Sequence, residues 1–353
     1  MTLVDTVHQA LWESDELTDL SRLDARIRGI LREVEPLAST DTISQVVAAV
    51  RARVDGLGPL QHLGNDGAVS EIMVNGDGTI WIERHGQLDC TDVRITSDDA
   101  LDLIRRLAAQ AGRSIDMRTP AVDVRLADGS RFHAIIPPLA VDGPCITIRR
   151  FATRAVELAE LTQDRHHDEL VRAVANGETI VVAGATSSGK TTLLNALGAY
   201  LDPDLRVVTI EDAAELRLPG RHVVRLETRS ATETTDATTI RELVRHALRM
   251  RPDRLICGEM RGAEALDLVQ AMNTGHRGSM STVHASTPLG VMRRIETMML
   301  LAEADLPLHA IRDQLAASID LVVMMERHPD GTRTVSQLWR GALGVDGQWE
   351  ERR

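Results

Sequence analysis

Lysine is nearly missing from this chain: Lys190 is the only one among 353 residues, and 39 arginines fill the other basic positions. Aromatic side chains are scarce as well, seven in all, which leaves little for stacking on bases. Basic charge is in deficit, with a formal net charge of −12. Affinity for phosphate backbones comes mainly from clustered Lys and Arg, so no nucleic-acid partner is expected. The three cysteines, Cys90, Cys145 and Cys257, lie far apart without a C-x-x-C pair, which excludes a zinc ribbon and a disulfide framework. Apolar runs such as 319–325, interrupted by Asp320, fall well short of the roughly 20 residues that span a bilayer. The N-terminus carries Asp5 and no basic, apolar leader, so a cytoplasmic protein without membrane insertion is expected.

What remains is an ordinary globular composition, 43% hydrophobic and 26% charged, long enough for two cores. Residues 1–55 read as a helical extension, with Leu11, Leu17, Leu20, Leu23, Ile27, Ile30, Leu31 and Val34 at helical spacing before Pro36. Residues 56–150 change to short strands at 71–74, 79–83 and 121–126, with Asn75-Gly76-Asp77-Gly78 and Asp128-Gly129 as turns and a helix near 98–111. That is a small α/β domain. Residues 151–353 alternate strands (179–183, 206–210, 255–257, 279–283) with helices (190–201, 236–250, 264–272 and one opened by Thr287-Pro288), ending in a hairpin at Pro329-Asp330-Gly331. Such alternation predicts a parallel sheet wound with helices, an α/β domain. Met292, Met298 and Met299 read as core filler.

The chemistry concentrates at Gly184-Ala185-Thr186-Ser187-Ser188-Gly189-Lys190-Thr191-Thr192, a phosphate loop lying directly after a buried strand and directly before a helix. Backbone N–H groups of Thr186 to Thr191 can wrap a β-phosphate while the helix N-terminus adds partial positive charge. Lys190 would neutralise β- and γ-phosphate oxygens and the Thr191 hydroxyl would ligate Mg²⁺, so ATP and Mg²⁺ are the expected cofactors. The sole lysine falls where an arginine fork is too broad to serve as a point charge. Glu211-Asp212 closes a strand at the edge where ligands of open α/β sheets collect, and could hold Mg²⁺ or its waters; the alternative is a solvated strand end. Glu259 ends the strand at 255–257 and is the best candidate to position or deprotonate water, and a further candidate metal ligand. His276 and His284 flank the next strand; taken alone, such histidines are more often hydrogen-bonded core residues than catalysts.

In this order the phosphate loop, Glu211-Asp212, the stretch from Pro252-Asp253-Arg254 to Glu259-Met260-Arg261-Gly262, and Thr274-Gly275-His276 through His284-Ala285 resemble the type II/IV secretion ATPase superfamily. The chain looks closest to the CpaF-like branch of Tad/Flp pilus assembly. Further support lies in Gly56-Leu57-Gly58-Pro59-Leu60, Glu71-Ile72-Met73-Val74-Asn75-Gly76, Asp128-Gly129-Ser130-Arg131, Ile136-Pro137-Pro138-Leu139 and Ile146-Thr147-Ile148-Arg149-Arg150-Phe151. The resemblance implies a RecA-like P-loop NTPase fold for residues 151–353 and a homohexameric ATP hydrolase at the inner face of the cytoplasmic membrane, coupled to an inner-membrane platform protein. It also implies that Arg131 and Arg149 of the first domain reach the γ-phosphate, that Glu211-Asp212 is an Asp box, and that His276 and His284 form a His box. Type IV secretion traffic ATPases serving conjugation or effector export are the same-class alternative, and a RecA-like DNA motor is one from another class. Arg277 departs from the pattern, standing where an acidic residue is usual, and Ser286 stands where Asn is common.

Overall fold

The computed structural model describes residues 2–13, 22–150, 155–229, 236–302 and 305–352, so Leu17, Leu20 and Phe151 lie outside the described residues. Its contacts divide the chain into two compact units, Met1–Thr153 and Arg154–Arg353.

Unit 1 opens with α1 (Leu3–Glu13), α2 (Leu23–Val34) and α3 (Thr40–Asp55). Leu11, Leu23, Ile27 and Leu31 meet Val46, Val47 and Val50 in a small core of their own. Ser39 starts α3 by accepting the Thr42 N–H at 3.1 Å. Val34, the last residue of the predicted stripe and of α2, is 39% exposed. Then come α4 (Gln61–Asn65), β1 (Val69–Val74), β2 (Thr79–Arg84), β3 (Gln87–Arg94), α5 (Ser97–Gln110), β4 (Ala121–Arg125), β5 (Arg131–Ile135) and β6 (Cys145–Arg149). The strands form one antiparallel sheet in the order β3-β2-β1-β6-β5-β4. Its buried face, Ile72, Ile148 and Phe132 among others, packs on Leu103, Ile104 and Leu107 of α5. Side chains alternate across a strand, so their sequence neighbours stand on the opposite face.

Unit 2 runs α6 (Leu158–Leu161), α7 (Asp164–Ala175), β7 (Ile180–Gly184), α8 (Lys190–Gly198), β8 (Val207–Glu211), β9 (Val223–Glu227), α9 (Ile240–Ala247), β10 (Arg254–Cys257), α10 (Glu264–Asn273) and β11 (Met280–Val283). It continues with α11 (Pro288–Leu300), α12 (Leu308–Ser318), β12 (Leu321–Arg327), β13 (Arg333–Trp339), β14 (Gly341–Leu343) and β15 (Trp349–Glu351). Seven strands form one sheet in the order β13-β12-β7-β11-β10-β8-β9, parallel except for β13. All five residues of β7 and of β8 are buried, as expected of parallel strands covered on both faces. Met292, Met298 and Met299 are buried in the layer that covers one face. Among the described residues no helix is long and apolar enough to cross a membrane.

Candidate nucleotide site

The C-terminal ends of β7, β8, β10 and β11 point to one edge of the unit 2 sheet, and the functional side chains gather there. The phosphate loop leaves β7 at Gly184. A Cβ on Gly184 would lie 2.5 Å from the Met325 carbonyl oxygen and 2.5 Å from Ser188 Oγ, so no larger residue fits. Gly189, at φ +93°, turns the chain into α8. Ser187 also takes a left-handed backbone, at φ +59°. Ala185 and Thr186 are exposed at the tip, Thr191 and Thr192 are half-buried in the first turn of α8, and Ser188 is buried with no partner for its Oγ among the described residues.

Lys190 is 8% exposed. Its Nζ donates to the carbonyls of Ala185 at 2.9 Å and Gly184 at 3.2 Å, and lies 3.3 Å from His284 Nδ1. The other ring nitrogen of His284 is 3.1 Å from Glu259 Oε1. An ammonium can only donate, so Nδ1 accepts and Nε2, the nitrogen near Glu259, carries the proton. Burial first, then the charges of Lys190, Arg294 and Arg261, hold the imidazole below its usual pKa and therefore neutral. Lysine, histidine and glutamate thus stand in one row from the phosphate loop to the end of β10.

Glu211 ends β8, 3% exposed. Its Oε1 accepts the N–H groups of Glu215 and Leu216, both at 2.9 Å, while Oε2 is buried without a partner among the described residues. Burial pushes the carboxyl up to about 7, against those two backbone hydrogen bonds. Gly258 makes room for it: a Cβ there would stand 3.0 Å from Glu211 Cγ. Asp212 pairs with the Arg261 guanidinium and lies 3.4 Å from Thr228 Oγ1. Among the described residues no group of three or more His, Cys, Asp or Glu is gathered to hold a metal ion by itself.

The structure does not bring His276 to this edge. It precedes β11, whereas His284 follows β11, and a strand sends its two ends to opposite edges of the sheet. His276 instead sits in the turn after α10, its Nδ1 3.1 Å from the Ala271 carbonyl oxygen. Arg277 beside it pairs with Asp320 at 3.1 Å, so the departure from an acidic residue is matched by a partner within unit 2. Arg131 and Arg149 belong to unit 1, where they are direct cross-strand partners. Both are exposed.

The family described as "Type II/IV secretion system protein" matches residues 53–332, four-fifths of the chain and all of the site just described. The chain belongs to that family. A putative conjugal transfer protein of Mycobacterium tuberculosis is 35% identical over 315 residues, 86% of this chain and 89% of its own. The type IV secretion system protein PtlH of Bordetella pertussis is 35% identical over 305 residues, 77% of this chain and 90% of its own. The pilus retraction motor PilT, solved with bound ADP, shares the fold at a TM-score of 0.54 and 20% identity, covering 77% of this chain and 78% of that one.

Sequence reasoning missed one residue that the structure of this family member sets at the loop. Arg333, at the start of β13, lies over the start of α8, its Cδ 3.1 Å from where a Cβ on Gly189 would be. No motif marks it; only the pairing of β12 with β7 carries its hairpin to the phosphate loop.

Proposed function

We propose that this chain hydrolyses Mg·ATP and uses the energy to drive a transfer or secretion machine, working as a homohexamer docked on an inner-membrane platform protein at the inner face of the cytoplasmic membrane. The observation that carries it is the row Lys190, His284, Glu259, with Lys190 bonded to His284 and His284 3.1 Å from Glu259, set beside a loop in which Gly184 has no room for a Cβ. The fit to Mg·ATP is supported by two orphaned buried atoms, Ser188 Oγ and Glu211 Oε2, and by the cradle that a Cβ at Gly184 would fill. When bound, Mg²⁺ would screen the charge on the phosphates, held by the Thr191 hydroxyl, with Glu211 and Asp212 facing its waters. Lys190 exchanges two loop carbonyls for phosphate oxygens. His284, released from Lys190, keeps Glu259 oriented through its Nε2–H, and Glu259 holds the attacking water and accepts its proton.

Relatives named for conjugal transfer and type IV secretion favour that branch. Tad/Flp pilus assembly is the second reading, favoured by the blocks at 56–60 and 71–76 and by a fold shared with a pilus motor. The test is to compare the wild-type chain with Glu259→Gln, whose amide can hold water but takes up no proton. Wild-type turnover that needs Mg²⁺, with a variant that binds ATP and stalls, is the expected pair. A wild-type chain that neither binds nor hydrolyses ATP would overturn the proposal.

A further inference from the structure

The segment that follows Glu211 belongs to no helix or strand, so its backbone N–H groups must find partners elsewhere. At residues 214–217 the partners are side chains. Ala214 donates to Glu227 Oε2 at 2.7 Å, Glu215 and Leu216 donate to Glu211 Oε1 at 2.9 Å each, and Arg217 donates to Asn195 Oδ1 at 2.7 Å. The segment is therefore held by β9 through Glu227, by β8 through Glu211 and by α8 through Asn195. A backbone N–H can only donate, which turns the Asn195 amide with its oxygen toward Arg217.

Asn195 stands four residues after Thr191, and Gly198 three after Asn195, so all three lie on one face of α8. That face meets the segment twice: Asn195 holds Arg217, and Gly198 lies against Leu218, where a Cβ would collide with the leucine side chain. Leu216, beside the first contact, is buried in the same core as Leu193 and Leu197 of α8. The segment in turn occupies one oxygen of Glu211 and leaves Oε2 bare, so its position decides how that carboxyl is turned. If the segment slid along α8, Glu211 would turn relative to Thr191, which is one helical turn from the Asn195 tie.

We propose that Asn195 is a positioning residue: by tying the segment to α8, it sets the Glu211 carboxyl in register with the Thr191 hydroxyl at the nucleotide site. This role rests on the reading that Thr191 and Glu211 serve Mg·ATP. Asn195 lies a turn further into the helix than Thr191, and its effect passes through Glu211.

The experiment compares the full-length wild type with Asn195→Ala and with Asn195→Asp, which keeps an acceptor for the Arg217 N–H, each also combined with Glu211→Gln. Without nucleotide or metal, amide hydrogen exchange read by peptide mass should quicken at residues 213–219 of Asn195→Ala and stay near wild type in Asn195→Asp. With Mg·ATP, Asn195→Ala is expected to lose about tenfold in turnover and to need more Mg²⁺ for half its maximum, with ADP affinity in chelator unchanged. Asn195→Asp should recover most of that loss. In the Glu211→Gln chain, Asn195→Ala should cost about twofold at most, because the residue it acts through is already altered. Normal turnover in Asn195→Ala beside an active wild type, or unchanged exchange at 213–219, would overturn the positioning role alone. So would equal losses in both backgrounds, or faster exchange spread over all of unit 2, either of which marks a role confined to folding. A wild-type chain that neither binds nor hydrolyses ATP would overturn the nucleotide reading and this role with it.

Discussion

At the scale of single residues, the site depends on which group holds which proton. Lys190 is held by two carbonyls and an imidazole, so its ammonium must change partners when phosphate arrives. Because it is the only lysine, an amine-reactive reagent should modify Lys190 and the N-terminus alone, and ATP should protect Lys190. Equal labelling with and without ATP, read by peptide mass, would contradict phosphate contact. Glu211 gives a second prediction, in stability. Its folded pKa of about 7 lies above the ordinary 4.5, so between those values the folded chain holds more protons than the unfolded one. Stability from this group is full below about 4.5 and is lost as pH rises through about 7. In chelator and without nucleotide, Glu211→Gln should therefore lose less stability than wild type between pH 5 and pH 7.5, followed by denaturant midpoints (roughly the window the shift defines). Parallel pH dependences would count against a buried, proton-holding Glu211. The lone lysine and the carboxylates that end hydrophobic strands were legible in the sequence. The separation of His276 from His284 was legible too, since a strand lies between them, but a motif that joins the two in sequence order conceals it.

Elements were easiest to read where one local signal dominated. Buried apolar runs gave β7, β8, β10 and β11, and Thr287-Pro288 gave the start of α11. The helix expected over 236–250 is shorter: Thr238 pairs with Arg229 as an isolated bridge, and Thr239 caps α9 in a reciprocal box with Glu242. That Thr-x-x-Glu signature stands in the sequence, whereas the bridge depends on a residue nine positions away. Strands β3 and β9 lie at sheet edges, half-buried or exposed along their length, and so lack the apolar alternation that would reveal them. Sheet order carries a prediction that sequence could not. β8, β10 and β11 bring Glu211, Glu259 and His284 to one side of β7, and the β12–β13 hairpin lies on the other. A γ-phosphate directed at Glu259 would leave the nucleoside free to lie on the side of Arg333, which stands beside Gly189 and whose planar guanidinium could stack on a base. Arg333→Ala should weaken ATP and ADP alike by about twofold to fivefold, the range of an exposed cation–π contact, and leave inorganic triphosphate unaffected. Equal losses for triphosphate would instead assign Arg333 to the phosphates.

At the scale of the whole molecule the question is whether ATP hydrolysis moves anything. Arg131 and Arg149 stand on the sheet of unit 1 and the phosphate loop stands in unit 2, so contact between them and a γ-phosphate requires unit 1 to close over the nucleotide. A ligand shifts a conformational equilibrium only by its differential affinity for the two states. ATP and ADP differ by one phosphate, so if those arginines touch it, closure should favour the triphosphate state and release should follow hydrolysis. Replacing Arg131 or Arg149 by Ala should then lower turnover by one to three decades, on the order of 1.4 to 4 kcal/mol of barrier, and leave ADP affinity nearly unchanged. Removing Arg131 also relieves the like-charge pair, so the variant should be no less stable than wild type, an outcome that separates lost chemistry from lost folding. The motion itself is measured with one spectroscopic label in each unit, comparing ADP with a non-hydrolysable ATP analogue. A shorter distance with the analogue, abolished in both arginine variants, is the expected result. The same distance with either nucleotide would mean that these arginines are surface cations of unit 1 that take no part in hydrolysis.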